Sequence, residues 1–125
     1  MLIEPAQESL RASQLCLDEA LANSATSRAC YAMFQAAQVA LELAGVARRL
    51  WSHATVQAAF TSELIHRGKI YPTTLRWDLP DGFAARQAAD YTEVGVSRTV
   101  AHRVVRRAVV FVSTIEEGIG HGRTA

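Results

Sequence analysis

TSRACYAMFQAAQVALEL, residues Thr26–Leu43, reads as one long, nearly uncharged helix with apolar side chains on almost every side. A helix that is apolar nearly all round is either the buried centre of a bundle or a membrane span, and length separates the two. Arg28 and Glu42 stand inside the stretch, and its uncharged run, Ala29–Leu41, is only 13 residues long. A span needs about 20 apolar residues, so this helix belongs in a protein core. Ala29, Ala32, Ala36, Ala37, Ala40 and Ala44 let neighbouring helices approach closely, while Met33, Phe34, Val39, Leu41 and Leu43 fill the space between them.

The rest of the composition agrees with a helical core. The 125 residues suit one domain, half of them are hydrophobic, and only 20% are charged, which argues against disorder. Strand formers do not alternate with polar residues over any useful length. The expected fold is therefore all-α, an up-and-down bundle of four to five helices over residues 1–118, with 119–125 as a flexible C-terminal tail. A net charge of +1 gives no overall case for nucleic acid or an anionic membrane, although a local patch can still act. Cys16 and Cys30 sit among apolar neighbours and suit buried thiols in a reducing cytosol. The opening MLIEPAQESL lacks the basic and apolar segments of a signal peptide, so a cytoplasmic location is expected.

Taken in order, the first helix is expected from about Pro5 to Ala22, with Leu10, Leu17 and Leu21 on its apolar stripe, helped by Cys16 and Ala20. Ser24 or Thr26 is suited to cap the central helix, and Gly45 to end it. Ser52 looks like the cap of a third helix that carries Val56, Ala59, Phe60 and Leu64 up to Gly68. In LRWDLPDGFAARQAADYT, residues 75–92, an interior Pro80 predicts a break or kink near Leu79 and a split fourth helix. Ser97 caps a fifth helix whose face is Val100, Val104, Ala108, Phe111, Val112 and Ile115.

Three segments carry a family resemblance: Ser27-Arg28-Ala29-Cys30-Tyr31-Ala32-Met33-Phe34, then His53-Ala54-Thr55-Val56 with Phe60, then Arg86-Gln87-Ala88-Ala89-Asp90-Tyr91. In their order and spacing, with Ser97 and its helix following, they resemble the HEPN domain family, and within it the short stand-alone bacterial proteins. The resemblance implies a helical bundle that usually dimerises. Many HEPN proteins are metal-independent ribonucleases, often toxins that a small nucleotidyltransferase neutralises. The nuclease motif of the family is Arg, four to six residues, then His. An arginine holds phosphate with a planar fork of donors, and a histidine moves protons near neutral pH.

Here the motif arginine is Arg86, and Tyr91, Thr92 and Glu93 fill the histidine offsets. Tyrosine, with a pKa of about 10, is a poor base at neutral pH, and a carboxylate beside an arginine has its basicity lowered. Arg86, Asp90 and Tyr91 are thus the catalytic candidates, and the same three serve equally as a cluster that ties the fourth helix to the bundle or to a second subunit. Arg28, on the apolar central helix, calls for Asp90 or a bound phosphate as partner, and Tyr31 is expected to pack with its hydroxyl satisfied. His53 reads as a helix-start residue. On the fifth helix Arg98, His102 and Arg106 recur every four residues, with Arg103 and Arg107 alongside. That row suits an RNA backbone, or is a solvated face, or meets Glu4, Glu8, Asp18 and Glu19 of the first helix.

The expected function is that of a HEPN protein in a bacterial toxin–antitoxin or defence-type module, with a nucleotidyltransferase partner, RNA as possible target, and a homodimeric state. The alternative is a catalytically silent dimer that binds a protein partner or a nucleotide. Arg28, Arg86, Arg98, His102 and Arg106 are the phosphate-binding or nucleic-acid-binding candidates. No cofactor, metal set or membrane association is expected. With no histidine at the motif offset, ribonuclease activity is expected to be weak or undetectable.

Overall fold

The computed structural model describes residues 2–46 and 51–120. Its helices are α1 (Glu4–Asp18), α2 (Ala22–Leu43), α3 (His53–Ala59), α4 (Asp78–Tyr91) and α5 (Arg98–Gly120). α3 runs on as a π-helical segment, Phe60–Arg67, and a short 3-10 turn, Thr73–Leu75, leads into α4. No strand occurs among the described residues. The all-α bundle expected from the apolar spacing is the observed architecture, with α2 packed against α1, α4 and α5.

α2 holds this central place because its small side chains leave room for neighbours. Ala25, Ala29, Ala32, Ala36, Ala37 and Ala40 are all buried, and Met33 and Leu41 are fully enclosed beside Phe60, Leu64, Phe111 and Ile115 from the other helices. Burying side chains of this size removes apolar surface from water at roughly 25 cal/mol per Å², the main force holding the bundle together. α5 contributes Val104, Ala108, Phe111, Val112 and Ile115 to the same core, as its spacing predicts. α1 differs from expectation: its buried stripe is Ala6, Ser9 and Ser13, while Leu10 and Leu17 are half-buried and Leu21 is exposed beyond the helix end.

Helix ends account for the other departures. α1 stops at Asp18, before Ala22, because Ala20 adopts a positive φ of 61°. The amides of Ala20 and Leu21 then return to the carbonyls of Leu17 and Cys16, which closes the terminal turn. α2 starts directly afterwards at Ala22, so Ser24 and Thr26 lie inside it and neither caps it. Asn23 is used elsewhere: its side chain accepts from the Val96 amide at 2.9 Å and ties the α1–α2 turn to the α4–α5 loop. At the far end of α2, Gly45 takes the left-handed conformation, φ 80°, as expected of a residue that ends a helix.

The fourth helix is not split. α4 begins at Asp78, which puts Pro80 in its first turn, where amide groups have no partner within the helix and a missing N–H costs nothing. Ser52 caps α3 reciprocally with Thr55, and Ser97 accepts from the Val100 amide at 3.1 Å to start α5. α5 continues past Gly118 to Gly120, so the expected tail does not begin at residue 119; residues 121–125 lie outside the described residues.

Candidate functional site

Three helices bring polar side chains to one place. Ser27, Tyr31 and Phe34 follow at four- and three-residue steps on α2, and Phe83, Arg86 and Asp90 follow at three- and four-residue steps on α4, so each set shares a helix face. His53 enters from the first position of α3, held there by the Ser52–Thr55 cap. Arg86 is the hub. Its Nε donates to Asp90 Oδ2 at 3.3 Å, its Nη1 lies 3.1 Å from His53 Nε2, and its Nη2 reaches the Tyr31 hydroxyl at 3.5 Å. Ser27 Oγ donates to the same Asp90 oxygen at 3.2 Å.

Aromatic rings frame this cluster. The Arg86 guanidinium lies 4.7 Å from the centre of the Tyr31 ring and the Arg28 guanidinium 4.5 Å from it, each a favourable contact of a cation with a ring face. His53 is stacked on Phe34 at 4.3 Å between centroids and lies against Phe83 at 4.5 Å. Burial disfavours the imidazolium and the Arg86 charge adds to that, so the His53 pKa is lowered and the ring is neutral at neutral pH. A neutral imidazole can accept a hydrogen bond from Arg86 at Nε2 and then carries its own proton on Nδ1. Burial alone disfavours the guanidinium too. Tyr31, the hydrogen bond to Asp90, Cys30 and Tyr91 outweigh it and raise the Arg86 pKa. Beneath the cluster, burial pushes the Cys30 thiol up to about 11, which leaves it protonated and unreactive. Cys16 is only half-buried.

The sequence candidates divide accordingly. Arg86 and Asp90 meet directly. Arg28 is exposed and joins through the Tyr31 ring, so the expectation of a buried guanidinium paired with Asp90 is corrected: its charge stays in water while its face covers the tyrosine. Tyr91, at the last residue of α4, is 69% exposed and sits at the edge of the cluster. His53 is the residue that sequence reasoning passed over as a helix-start residue. The signal for it was present, because its segment was one of the three matching ones, but its contact with Arg86 spans 33 residues and is tertiary.

Arg98, His102 and Arg106 are exposed along α5. Arg107 is paired with Asp81 of α4 at 2.7 Å, not with the acids of α1. Together with His102, Arg103 and Arg106 it lines a groove of about 520 Å³ beside the start of α4. Asp78 also lines that groove, though the residue is only 7% exposed. Burial raises its pKa to about 6, Arg107 pulls it down and Asp81 pushes it up.

Among the described residues no group of three or more His, Cys, Asp or Glu side chains is placed to hold a metal ion, and no helix is long and apolar enough to cross a membrane. What the Arg86 cluster offers is a partly covered guanidinium with a neutral imidazole at hydrogen-bond distance. No protein-family model matches the chain, and no curated protein matches it.

Proposed function

We propose that the chain is a HEPN-type bundle directed at RNA, with Arg86 holding a backbone phosphate and His53 moving a proton at the adjoining ribose. The observation that carries this reading is the 3.1 Å contact of Arg86 Nη1 with His53 Nε2. It sets beside the motif arginine a neutral, titratable ring, although the offsets after Arg86 hold Tyr91, Thr92 and Glu93. A guanidinium has five N–H donors, and the three contacts made inside the chain leave donors for a phosphate oxygen. His53, once turned from Arg86 to a ribose 2′-hydroxyl, takes its proton while the 2′ oxygen bonds to phosphorus and the 5′ oxygen leaves with the electron pair of the broken P–O bond, taking a proton from solvent water. Such proton transfer is worth about 10²–10⁴ in rate. Asp90 and Tyr31 act by positioning Arg86. Arg28, Arg98 and Arg106 supply further cations for the strand.

On this reading the protein works in the cytoplasm as a homodimer, in a bacterial module with a nucleotidyltransferase partner. Tyr91, 69% exposed, and Val94, 93% exposed, leave apolar surface beside the cluster that a second subunit or a partner would cover.

A second reading, a silent bundle that binds without cutting, is favoured by the engagement of Arg86 with Asp90, His53 and Tyr31 inside the chain. The test is RNA cleavage in chelator by the wild type, Arg86→Ala, His53→Gln and His102→Ala. Cutting that is lost in the first two variants and kept in the third is the expected result. Arg86-dependent affinity without cutting moves the function to the silent reading, and no affinity for RNA at all overturns the RNA reading.

A further inference from the structure

One face of α5 meets the start of α4 and the 3-10 turn before it, and the groove of about 520 Å³ runs between them. That volume falls within the range of about 300–1,000 Å³ typical of small-molecule sites. On the α5 wall Arg103, Arg106 and Arg107 recur at three- to four-residue steps and so share one side of the groove. Arg107 is held by Asp81, whereas neither Arg103 nor Arg106 takes part in an ion pair among the described residues. Asp78, in the opposite wall, is the one acid of the lining. The residue is 93% buried, yet no group among the described residues donates a hydrogen bond to its carboxylate. Buried polar groups are normally bonded, so a carboxylate left bare at the wall of a groove is a place where the donors of a ligand fit.

The charges around Asp78 define that ligand. A cationic donor would be repelled by three arginines, so the groups that reach the carboxylate are neutral N–H donors, and negative charge elsewhere on the ligand suits the unpaired Arg103 and Arg106. A carboxylate accepts best from two adjacent N–H groups, one to each oxygen. Among the nucleobases guanine alone presents such a pair, N1–H beside its 2-amino group; adenine and cytosine set an amino group beside an acceptor, and uracil sets a single N–H between two carbonyls. We propose that the groove binds a guanosine monophosphate unit, with the base edge on Asp78 and the phosphate on Arg103 and Arg106. Leu75 and Val110 offer apolar surface to the base, and the hydroxyls of Thr74 and Thr99 are donors for its carbonyl or for the sugar. The unit is a free nucleotide or an unpaired guanosine of an RNA strand, which present the same edge to Asp78. None of Arg86, Asp90, His53 and Tyr31 lines the groove, so the site does not depend on the reaction proposed for them.

The test is calorimetric titration at pH 8, where Asp78 is mostly ionised, with the monophosphates of guanosine, inosine, adenosine and xanthosine. Guanosine monophosphate is expected to bind saturably and about 5- to 100-fold more tightly than inosine monophosphate, which lacks the 2-amino group, with adenosine monophosphate weaker still. Asp78→Asn keeps the shape of the side chain and removes a buried charge, so the variant is expected to fold. Its amide accepts from N1–H and donates to the carbonyl that xanthine carries in place of the 2-amino group, so the preference is expected to pass from guanosine to xanthosine monophosphate. Arg103→Ala is expected to weaken all the nucleotides and to leave the ratio of guanosine to inosine monophosphate unchanged. A 2′-O-methyl heptanucleotide with one guanosine among adenosines, set beside the all-adenosine strand, separates the sources. Guanosine-dependent binding tighter than that of the mononucleotide assigns the groove to RNA, and the reverse order assigns it to the free nucleotide. Equal binding of guanosine, inosine and adenosine monophosphates would leave only a cationic surface and overturn the proposal. So would an equal loss of all nucleotides in Asp78→Asn, or no guanosine-dependent binding in either form, and none of these outcomes bears on the Arg86 reading.

Discussion

Arg86 and Asp78 stand on the same helix, eight residues apart, and the bundle treats their charges in opposite ways. Around Arg86, α2 and α3 supply a ring face, a hydroxyl and an imidazole, and α4 itself supplies Asp90 one turn on. Around Asp78 the packing removes water, while the nearest charges, Arg107 and Asp81, are engaged with each other at 2.7 Å. The first arrangement keeps its cation charged at any pH at which the protein folds. The second holds an acid whose protonation near neutrality is a real equilibrium. Burial alone therefore does not decide the state of a side chain. What decides it is how many helices contribute partners.

The largest effect that would break this contrast comes from Arg86→Ala. The side chain is 16% exposed and its partner Asp90 28%, so loss of the guanidinium leaves a half-covered carboxylate and an imidazole without their donor. Charged hydrogen bonds of this kind are worth about 1.5–3 kcal/mol, and Arg86→Ala is expected to lower unfolding free energy by about 2 kcal/mol in urea titration. A change below about 0.5 kcal/mol, the usual range of a surface substitution, would show that the cluster is no better built than the surface.

Asp78 gives the next effect, and its sign depends on pH. The folded-state pKa, about 6, lies above the ordinary 3.8, so between these values the folded state binds more protons than the unfolded one. Stability tied to Asp78 is thus fully present below pH about 4 and is lost as pH rises through about 6. Asp78→Asn is expected to stabilise the protein by about 1–2 kcal/mol at pH 8, with the gain vanishing toward pH 4. His53 runs the other way: its lowered pKa means that stability is present above 6.5 and falls on acidification below it. Urea midpoints of wild type and Asp78→Asn across this range check the sign, and a gain that grows toward low pH would contradict it.

Much of this architecture is legible in the sequence. The alanines of α2, the Val104–Ile115 face of α5 and the caps at Ser52 and Ser97 all express spacing and local chemistry, which a linear reading captures. Arg86 and Asp90 were named through the family resemblance, and they meet as an i, i+4 pair on one helix. Pro80 misled because its cost depends on where the helix begins, and nothing local fixes that start at Asp78. Arg28 misled because an apolar helix still has a rim, and the aromatic face of Tyr31 lets a guanidinium stay in water while remaining in contact. His53 could be joined to Arg86 only by the packing of α3 against α4, a contact between helices that spacing within one helix does not contain.

The smallest expected effect on stability, and the one that separates a held charge from a solvated one most cleanly, concerns α5. Arg98 and Arg106 are exposed, and neither takes part in an ion pair among the described residues, unlike Arg107 with Asp81. Exposed charges on a helix face contribute little to folding, so Arg98→Ala and Arg106→Ala are each expected to change unfolding free energy by less than about 0.5 kcal/mol. Their weight should appear instead in RNA affinity. A cation that neutralises a backbone phosphate of a single strand adds about 0.7 to the slope of log affinity against log salt. The double variant is therefore expected to flatten that slope by about 1.4 if both arginines lie on the strand. Arg86→Ala should flatten the slope and destabilise the fold together, because its guanidinium serves both. A double variant with the wild-type slope would return the α5 row to a purely solvated face and leave the Arg86 cluster as the sole phosphate contact among these residues.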